Sequence, residues 1–416
     1  MLYLPIEIKT RELHGKLLLA YHALLKGKNV IIGEHSKVEE AAQIYPKGIF
    51  LCKGYPSGYM KRVVVTAKQA NHMVANLDEE GLIYTDPNFY LKTRMNRKWM
   101  PYLDHVYCWG RKQQQMIERT YPEMKGKCIS SGNPRFDLLT PKYRELYREE
   151  SNQMKKTFGP YILVNTRFTL FNTIKGKKEK GLTPHARYIR DLYNQFVFMI
   201  KRISKDFPDI TIIVRPHPAE RKESYSEELR GCSNVLVENE GAVIHWLMGA
   251  EALIHNGCTT GIEAYLLEKP VFSYEPMTSP VYDVFLTQDV SIRIKDSEDL
   301  SSQLREVLKK GGRVEIPVSS VFRDYYVNVK VEGYAYLRML DPMEKAGLET
   351  NAPVRPIAHR YPKDRRKKTR YLFPSLTEGE IQSFFNKINK IERERLCVQM
   401  FPLADRLFLL TAEGRR

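Results

Sequence analysis

The stretch ITIIVRPHPAER, from Ile210 to Arg221, reads as a buried strand followed at once by a rigid turn. Its apolar residues stop at the four residues Arg215-Pro216-His217-Pro218, and X-Pro units end strands well. In an α/β protein such a turn lies at the carboxyl edge of the sheet, where these folds bind ligands. The turn is therefore either a plain strand end or a ligand loop that carries an arginine and a histidine.

Short apolar strands alternate with helical stretches through the first part of the chain. We predict strands at Leu2–Ile6, Val30–Gly33, Ile49–Leu51, Val63–Val65 and Val106–Trp109. Strands separated by helices of this size predict a parallel sheet with helices on both faces.

A second set of strands and helices begins at Tyr161 and includes the opening stretch, Val235–Val237 and the strand that ends at His255. The sequence thus predicts an α/β protein with two doubly wound, Rossmann-like domains that face a central cleft, followed by C-terminal helices. We expect an N-terminal domain at 1–140, a second domain at 158–345, and a basic segment with C-terminal helices at 346–416. That last part either packs back on the first domain or associates with a membrane.

Composition limits the partners. The 416 residues carry a formal net charge of +17, which favours an anionic partner: nucleic acid, an acidic small molecule or an anionic membrane face. The most basic run is HRYPKDRRKKTRYLF, from His359 to Phe373, but no RNA-recognition consensus, zinc finger or helix-turn-helix accompanies it. We therefore expect no nucleic-acid partner, a cytoplasmic location and peripheral association with the inner membrane face.

The six cysteines are scattered, without a C-x-x-C pair or a histidine pair at ligand spacing. This spacing argues against a zinc site and against a secreted disulfide framework. We expect no bound metal.

The stretch LIHNGCTTGIEAYLLEKPVFSY, from Leu253 to Tyr274, runs from a strand through a glycine-containing loop into a helix. Thr259 and Thr260 suit the N-cap, and the glycines let backbone approach a ligand. A helix start of this kind binds phosphate or carboxylate well, although a capping threonine beside glycine also occurs in helices that bind nothing. Together with the His217 turn on an adjacent strand, it predicts a phosphate site.

These two stretches are similar to the bacterial capsule polysaccharide biosynthesis transferases, which have the GT-B fold and transfer Kdo from CMP-Kdo. Within that group the chain resembles proteins described as "surface carbohydrate biosynthesis protein". The further landmarks are LPIEIKTRELHGKLLLAYHALLKGKNVIIG, LDEEGLIY, SGNPRFDLL and VNTRF. The resemblance covers about Leu2 to Pro276.

The resemblance implies a donor site. His217 would hold the CMP phosphate, and Arg215 would add a charge-assisted contact or orient the loop. Glu263 and Glu275 are candidates for the ribose hydroxyls, although Glu263 could instead balance the helix dipole and Glu275 could be a surface residue. The other donor-site candidates are Asn165, Arg167, Pro218, Asn256, Thr259, Thr260 and the amide of Gly261.

The catalytic candidates are Asp78, Glu79 and Glu80. Three adjacent acids can be a plain solvated loop, but EEGL resembles the EDGF stretch of the capsular Kdo-transferases, whose Asp is the proposed nucleophile. Glu80 takes that position with one extra methylene. A carboxylate there could stabilise or capture an oxocarbenium ion, or act as a base for the acceptor.

Three further loops follow predicted strand ends. Arg11, with Glu12 beside it, and Arg167 are candidates for a carboxylate of the donor or acceptor. We interpret Asn133-Pro134-Arg135 as an interdomain turn.

The first functional hypothesis is a metal-independent glycosyltransferase without a cofactor. It would transfer Kdo or a nonulosonic acid, such as legionaminic or pseudaminic acid, from the CMP-sugar to a surface glycan or lipid-linked acceptor. The alternative on the same architecture is a CDP-glycerol-type glycerophosphotransferase or a UDP-sugar 2-epimerase. A third hypothesis is a non-enzymatic binder of RNA or membrane that uses the basic run.

Overall fold

The computed structural model describes residues 1–55, 57–84, 86–178, 180–311, 321–327, 332–345, 354–361 and 367–413. They form two compact units: unit 1 comprises Met1–Leu146 and Arg323–Arg416, and unit 2 comprises Tyr147–Phe322. Unit 2 is therefore an insertion in the chain of unit 1. The segment from Arg323 to position 345, which we expected in the second domain, belongs to unit 1.

The first part of unit 1 alternates strands and helices. The strands are β1 Leu2–Ile6, β2 Val30–Glu34, β3 Ile49–Cys52, β4 Met73–Leu77, β5 His105–Cys108 and β6 Cys128–Ser130. The helices are α1 Lys9–Leu25, α2 His35–Ala41, α3 Ser57–Gln69, α4 Pro87–Arg94, α5 Arg111–Thr120, α6 Pro134–Asp137 and α7 Pro141–Arg144. Every residue of β1, β2 and β3 is buried, as expected for parallel strands that helices cover on both faces.

One predicted strand is wrong. Val63, Val64 and Val65 lie in α3, where Met60, Val63, Val64 and Ala67 are buried. That spacing of three and four residues is the apolar stripe of a helix, and it outweighs the β preference of the valines.

Unit 2 has a six-stranded sheet in the order β11-β10-β7-β12-β13-β14, and every pairing in it is parallel. The strands are β7 Tyr161–Asn165, β10 Thr211–Arg215, β11 Val235–Val237, β12 Ala252–His255, β13 Val271–Tyr274 and β14 Ile292–Ile294, with a small hairpin of β8 Asn172–Thr173 and β9 Gly176–Lys177. The helices are α8 Arg148–Phe158, α9 Pro184–Asp206, α10 Glu223–Glu228, α11 Val243–Gly249, α12 Thr259–Leu266, α13 Phe285–Asp289 and α14 Ser297–Lys309, and α15 Phe322–Tyr325 spans the boundary with unit 1. Numbered from β7 within this sheet, the order is 3-2-1-4-5-6, which is the doubly wound Rossmann arrangement.

The C-terminal part completes unit 1. Its elements are α16 Ala335–Lys345, α17 Lys367–Leu372, α18 Glu378–Glu392, β15 Val398–Ala404 and β16 Leu407–Ala412. The hairpin β15–β16 was not predicted; β16 pairs antiparallel with β2 and extends the sheet to the order β15-β16-β2-β1-β3-β4-β5-β6.

Residues 362–366 of the basic run lie outside the described residues. No helix in the described part of the chain is long and apolar enough to cross a membrane.

Candidate active site

The carboxyl edge of the unit 2 sheet brings three predicted site loops together. Arg215 at the end of β10 and His255 at the end of β12 are both in register with Asn165 at the end of β7. The chain order reverses between β7 and β12, and open α/β sheets bind ligands at such a switch point.

Hydrogen bonds tie the loops after β7 and β12 together. The Arg167 Nη1 donates to the carbonyl of Gly257 at 3.4 Å, and the Asn256 Nδ2 donates to the carbonyl of Arg167 at 3.2 Å. At and just after the ends of these two strands, three buried atoms have no hydrogen-bond partner in the described structure: the Oδ1 atoms of Asn165 and Asn256 and the Oγ1 of Thr260. Because buried polar atoms are almost always satisfied, three such atoms at one sheet edge indicate a ligand site.

The His217 imidazole is oriented by its own turn. Its Nδ1 accepts a hydrogen bond from the Ala219 amide at 3.1 Å. In the neutral ring this places the proton on Nε2, which is therefore a donor. Pro218 completes the turn and is half-buried. A hydrogen bond from His217 to a phosphate oxygen stays a prediction.

Arg215 is used differently. Its guanidinium is buried, lies 5.0 Å from the Trp246 ring centroid, and donates to the carbonyls of Glu240, Asn239 and Gly241 at 2.8, 3.3 and 3.1 Å. Burial lowers the pKa of Arg215 to about 10. Of the two roles predicted for this side chain, the contacts favour orientation of the loop.

The start of α12 differs from the expectation in two details. Cys258, rather than a threonine, occupies the N-cap, and the Gly261 amide already donates to the Cys258 carbonyl at 3.0 Å. The amide of Gly261 is therefore not a phosphate donor. Glycine is needed there because a Cβ atom would lie 2.6 Å from the His255 Nε2.

Glu275 is buried, so the surface interpretation is wrong. Its Oε2 accepts from Nε and Nη2 of Arg293 at 2.9 and 2.7 Å, whereas its Oε1 is buried without a partner in the described structure. A fixed carboxylate with one open oxygen suits a hydroxyl or N–H donor of a ligand. Glu263 is buried on α12 and lies near Tyr147, whose pKa is raised by burial and by the charges of Glu150 and Glu263.

Two residues that support the carboxyl edge of the unit 2 sheet were not predicted from the sequence. His255 is fully buried; its Nδ1 accepts from the Gly257 amide at 2.9 Å and its Nε2 lies 2.9 Å from the Ser291 Oγ. Glu220 accepts from the His217 amide at 3.2 Å. The spacing of three residues between His217 and Glu220 was the available signal, because a carboxylate at that distance can reach back to the amide.

In unit 1, the three acidic candidates lie in the loop after β4 and have different surroundings. Asp78 is fully buried and receives two bonds from Arg94, at 3.2 and 2.7 Å. Glu79 is buried, lies 3.1 Å from the Lys16 Nζ and accepts from Asn133 at 3.0 Å.

Glu80 has the exposed side chain of the three, at 56%. Its two oxygens lie 3.3 Å from Arg11 Nη1 and 3.3 Å from Arg94 Nη2. Partial burial would raise the pKa of Glu80, but the charges of Arg94 and Arg11 lower it below its ordinary value. Glu80 is thus held ionised and within reach of solvent.

The carboxylate of Glu12 stabilises the start of α1. It is buried and accepts hydrogen bonds from the amides of Glu7 and Ile8 at 3.0 and 3.2 Å.

The interpretation of Asn133-Pro134-Arg135 as an interdomain turn is wrong. These residues begin α6 inside unit 1, where the Asn133 Oδ1 accepts from the Arg135 amide at 2.9 Å. Among the described residues, no group of three or more His, Cys, Asp or Glu side chains could hold a metal ion.

Comparison with solved structures identifies the architecture. A Listeria monocytogenes protein, provisionally described as a UDP-N-acetylglucosamine 2-epimerase, matches with a TM-score of 0.54 and 13% identity, over 86% of this chain and 99% of that one. The chain has a GT-B-like fold. This confirms the predicted fold class.

Two further structures match with TM-scores of 0.49 and 15% identity. One is a Neisseria meningitidis UDP-GlcNAc 2-epimerase bound to UDP-GlcNAc, with 74% of this chain and 80% of that chain covered. The other is the wall teichoic acid polymerase TagF, with 72% and 73% covered. No family model matches the sequence, and no curated protein matches it.

Proposed function

We propose that this protein is an enzyme that binds a pyrimidine-nucleotide-activated sugar or polyol at the carboxyl edge of the unit 2 sheet and acts on the activated group. The observation that carries the proposal is the set of unsatisfied buried polar atoms at that edge. Asn165, Asn256, Thr260 and Glu275 each contribute one. Their partners would be supplied by a ligand rich in hydroxyl, N–H and phosphate groups.

The phosphate would be held by three donors of different kinds. His217 offers its Nε2–H, Arg167 offers a guanidinium beside Gly257, and α12 offers its positive end. The open oxygen of Glu275, at the end of the neighbouring β13, would accept from the ribose or the base.

A UDP-sugar 2-epimerase or a CDP-glycerol-type transferase is the first assignment within this class. The Listeria protein that shares the fold has the first description, and an enzyme of either kind would use a pyrimidine nucleotide.

Transfer of Kdo or a nonulosonic acid from its CMP-sugar is the second candidate. It is favoured by the resemblance of RPHP and HNGCTTGIEAYLLEKPVFSY to the capsule polysaccharide transferases. The Arg167 guanidinium would suit the carboxylate of such a donor.

Nucleotide binding tests the proposal. Isothermal titration with UMP, UDP, CMP and CDP should give saturable binding by the wild type. His217→Asn keeps an acceptor for the Ala219 amide but removes the donor at Nε2, so its affinity should fall at least about tenfold, which corresponds to about 1.4 kcal/mol. His217→Gln restores an N–H near the Nε2 position and should lose less. A wild-type protein that binds none of the four nucleotides would contradict the proposal.

Mass spectrometry of products separates the substrate classes. Epimerised UDP-N-acetylhexosamine, glycerol phosphate transferred from CDP-glycerol, or CMP released from a CMP-ulosonic acid would each identify one chemistry.

We assign the chemical step in part to Glu80, because it is ionised and exposed while Asp78 and Glu79 are buried in ion pairs. Glu80→Gln should reduce turnover by about 10²-fold or more, with nucleotide affinity in unit 2 unchanged. Glu123→Gln is the matched control, since Glu123 is also a surface glutamate paired with an arginine, Arg97 at 3.2 Å. Equal rates for both variants would remove Glu80 from the mechanism.

A further inference from the structure

The carboxyl group of Glu220 joins three separate segments at the carboxyl edge of unit 2. The side chain is buried, with 3% of the residue exposed. Its Oε1 accepts from the amides of Phe168 and His217 at 3.0 and 3.2 Å, and its Oε2 accepts from the Tyr225 hydroxyl at 2.6 Å. The Thr166 hydroxyl lies 3.3 and 3.4 Å from the two oxygens.

These partners belong to the ligand loops. Thr166 and Phe168 flank Arg167 in the loop after β7, whereas His217 lies in the loop after β10. The contacts with the Thr166 hydroxyl and the Phe168 amide therefore hold the residues on either side of Arg167. The contact with the His217 amide holds the residue whose imidazole would face the phosphate in the proposed function.

The burial of this group is costly, which argues for a role beyond packing. Its partners in the described structure are hydroxyl and amide donors, without an ion pair. Burial raises the pKa of Glu220, although the hydroxyl and amide donors oppose the shift. A carboxyl group buried without a counter-ion destabilises a fold relative to an apolar replacement, so its presence at a ligand site indicates preorganisation of that site.

We propose that Glu220 is the positioning residue of the nucleotide site: it sets the relative placement of Arg167 and His217 so that both reach one phosphate group. The inference rests on the proposed function. Glu220 itself would not touch the ligand, because its two oxygens are already occupied by the loops.

Asn234 provides a matched control at the opposite edge of the same sheet. Its Nδ2 donates to the carbonyls of Ser204, Phe207 and Ile210 at 3.3, 2.8 and 2.9 Å, just before β10 and β11 begin. Asn234→Ala therefore removes a similar number of hydrogen bonds from unit 2, but at its amino edge.

The experiment compares full-length wild type with Glu220→Ala, Glu220→Gln and Asn234→Ala by isothermal titration with UDP and CMP and by thermal unfolding. We expect Glu220→Ala to bind at least about tenfold more weakly. Glu220→Gln should lie between Glu220→Ala and wild type, because its carbonyl can still accept from the two amides. Asn234→Ala should lower the melting temperature and leave the affinity unchanged. Tyr225→Phe, which removes one donor to Glu220, serves if Glu220→Ala does not fold, and should weaken binding by a smaller factor.

Two outcomes overturn the inference. If wild type binds and Glu220→Ala binds equally well, or loses no more affinity than Asn234→Ala, the positioning role fails while the proposed function stands. If wild type binds neither nucleotide, the proposed function fails and takes the inference with it.

Discussion

At the scale of single residues, Arg215 and His217 show how neighbours in one turn divide their tasks. The Arg215 guanidinium donates hydrogen bonds to three carbonyls of the loop after β11 and lies against the Trp246 ring. Its donors are thus used within the protein. His217, two residues later, has its Nδ1 fixed by the Ala219 amide and its proton on Nε2. The sequence shows both side chains at the strand end but not the carbonyls that take up the arginine, because those lie 24 to 26 residues further along.

His255 makes a prediction about pH. Burial lowers the pKa of His255 from 6.5 to about 3. Between these values the unfolded chain binds a proton that the folded chain does not, so the free energy of unfolding should fall as the pH drops below about 6.5, by at most about 1.4 kcal/mol per pH unit.

His255→Gln removes that titration. We expect the variant to be less stable at pH 7 but to lose less stability between pH 6.5 and 5 than wild type does. Urea unfolding at several pH values, followed by hydrogen exchange of the β7, β10 and β12 amides, measures how steeply the free energy of unfolding depends on pH in each protein. Parallel slopes would show that His255 does not contribute.

Glu220 explains why part of the site could not be predicted. The stretch from Ile210 to Arg221 indicates a ligand loop, but the donors of Glu220 at Thr166 and Phe168 lie more than fifty residues earlier in the sequence. Such a contact depends on the pairing of β10 with β7, which places two distant loops side by side. The residue types in the loops were enough to predict candidates for ligand contact. They were not enough to predict that Glu220 holds those loops in place.

At the scale of elements, the contact between α12 and β12 decides the geometry of the helix start. A Cβ on Gly261 would lie 2.6 to 2.9 Å from three atoms of the His255 ring, and that ring is held by Gly257 and Ser291. Gly261→Ala should therefore push α12 outward, destabilise the protein by about 1–3 kcal/mol and weaken nucleotide binding.

The control is Gly231→Ala, where an added Cβ meets nothing within 4 Å. Thermal unfolding and nucleotide titration of the two variants give the comparison. Unchanged binding by Gly261→Ala would mean that the position of α12 does not matter for the ligand.

The elements themselves were predictable where the pattern is local. The largely apolar strands β1, β2 and β7 and the helix that begins at Thr259 follow directly from their residues. The run Val63–Val65 was misjudged because three β-branched residues in a row favour a strand, while the burial of Met60 and Ala67 on the same face reveals the helix.

At the scale of the whole molecule, the end of the chain returns to the sheet with which it begins. Leu409 of β16 pairs with Ile31 of β2 and is fully buried in the same core as Tyr3 and Phe50. The residues at 398–412 do not by themselves predict this pairing, because it joins two segments that lie nearly the whole sequence apart. Length and alternation therefore predicted two α/β units but not that the second is inserted into the first.

Leu409→Ala tests this discontinuous core. Removal of a fully buried leucine side chain should cost about 2–5 kcal/mol, and the loss should fall on unit 1 because Leu409 packs there. Hydrogen exchange should show faster exchange in β1 and β2, with β7 and β10 protected as in wild type. Leu403→Ala in β15, where the side chain is only partly buried, should have a smaller effect. Equal loss of protection in both sheets would instead mean that the two units unfold as one, and nucleotide bound to unit 2 would then stabilise the core of unit 1 by mass action as well.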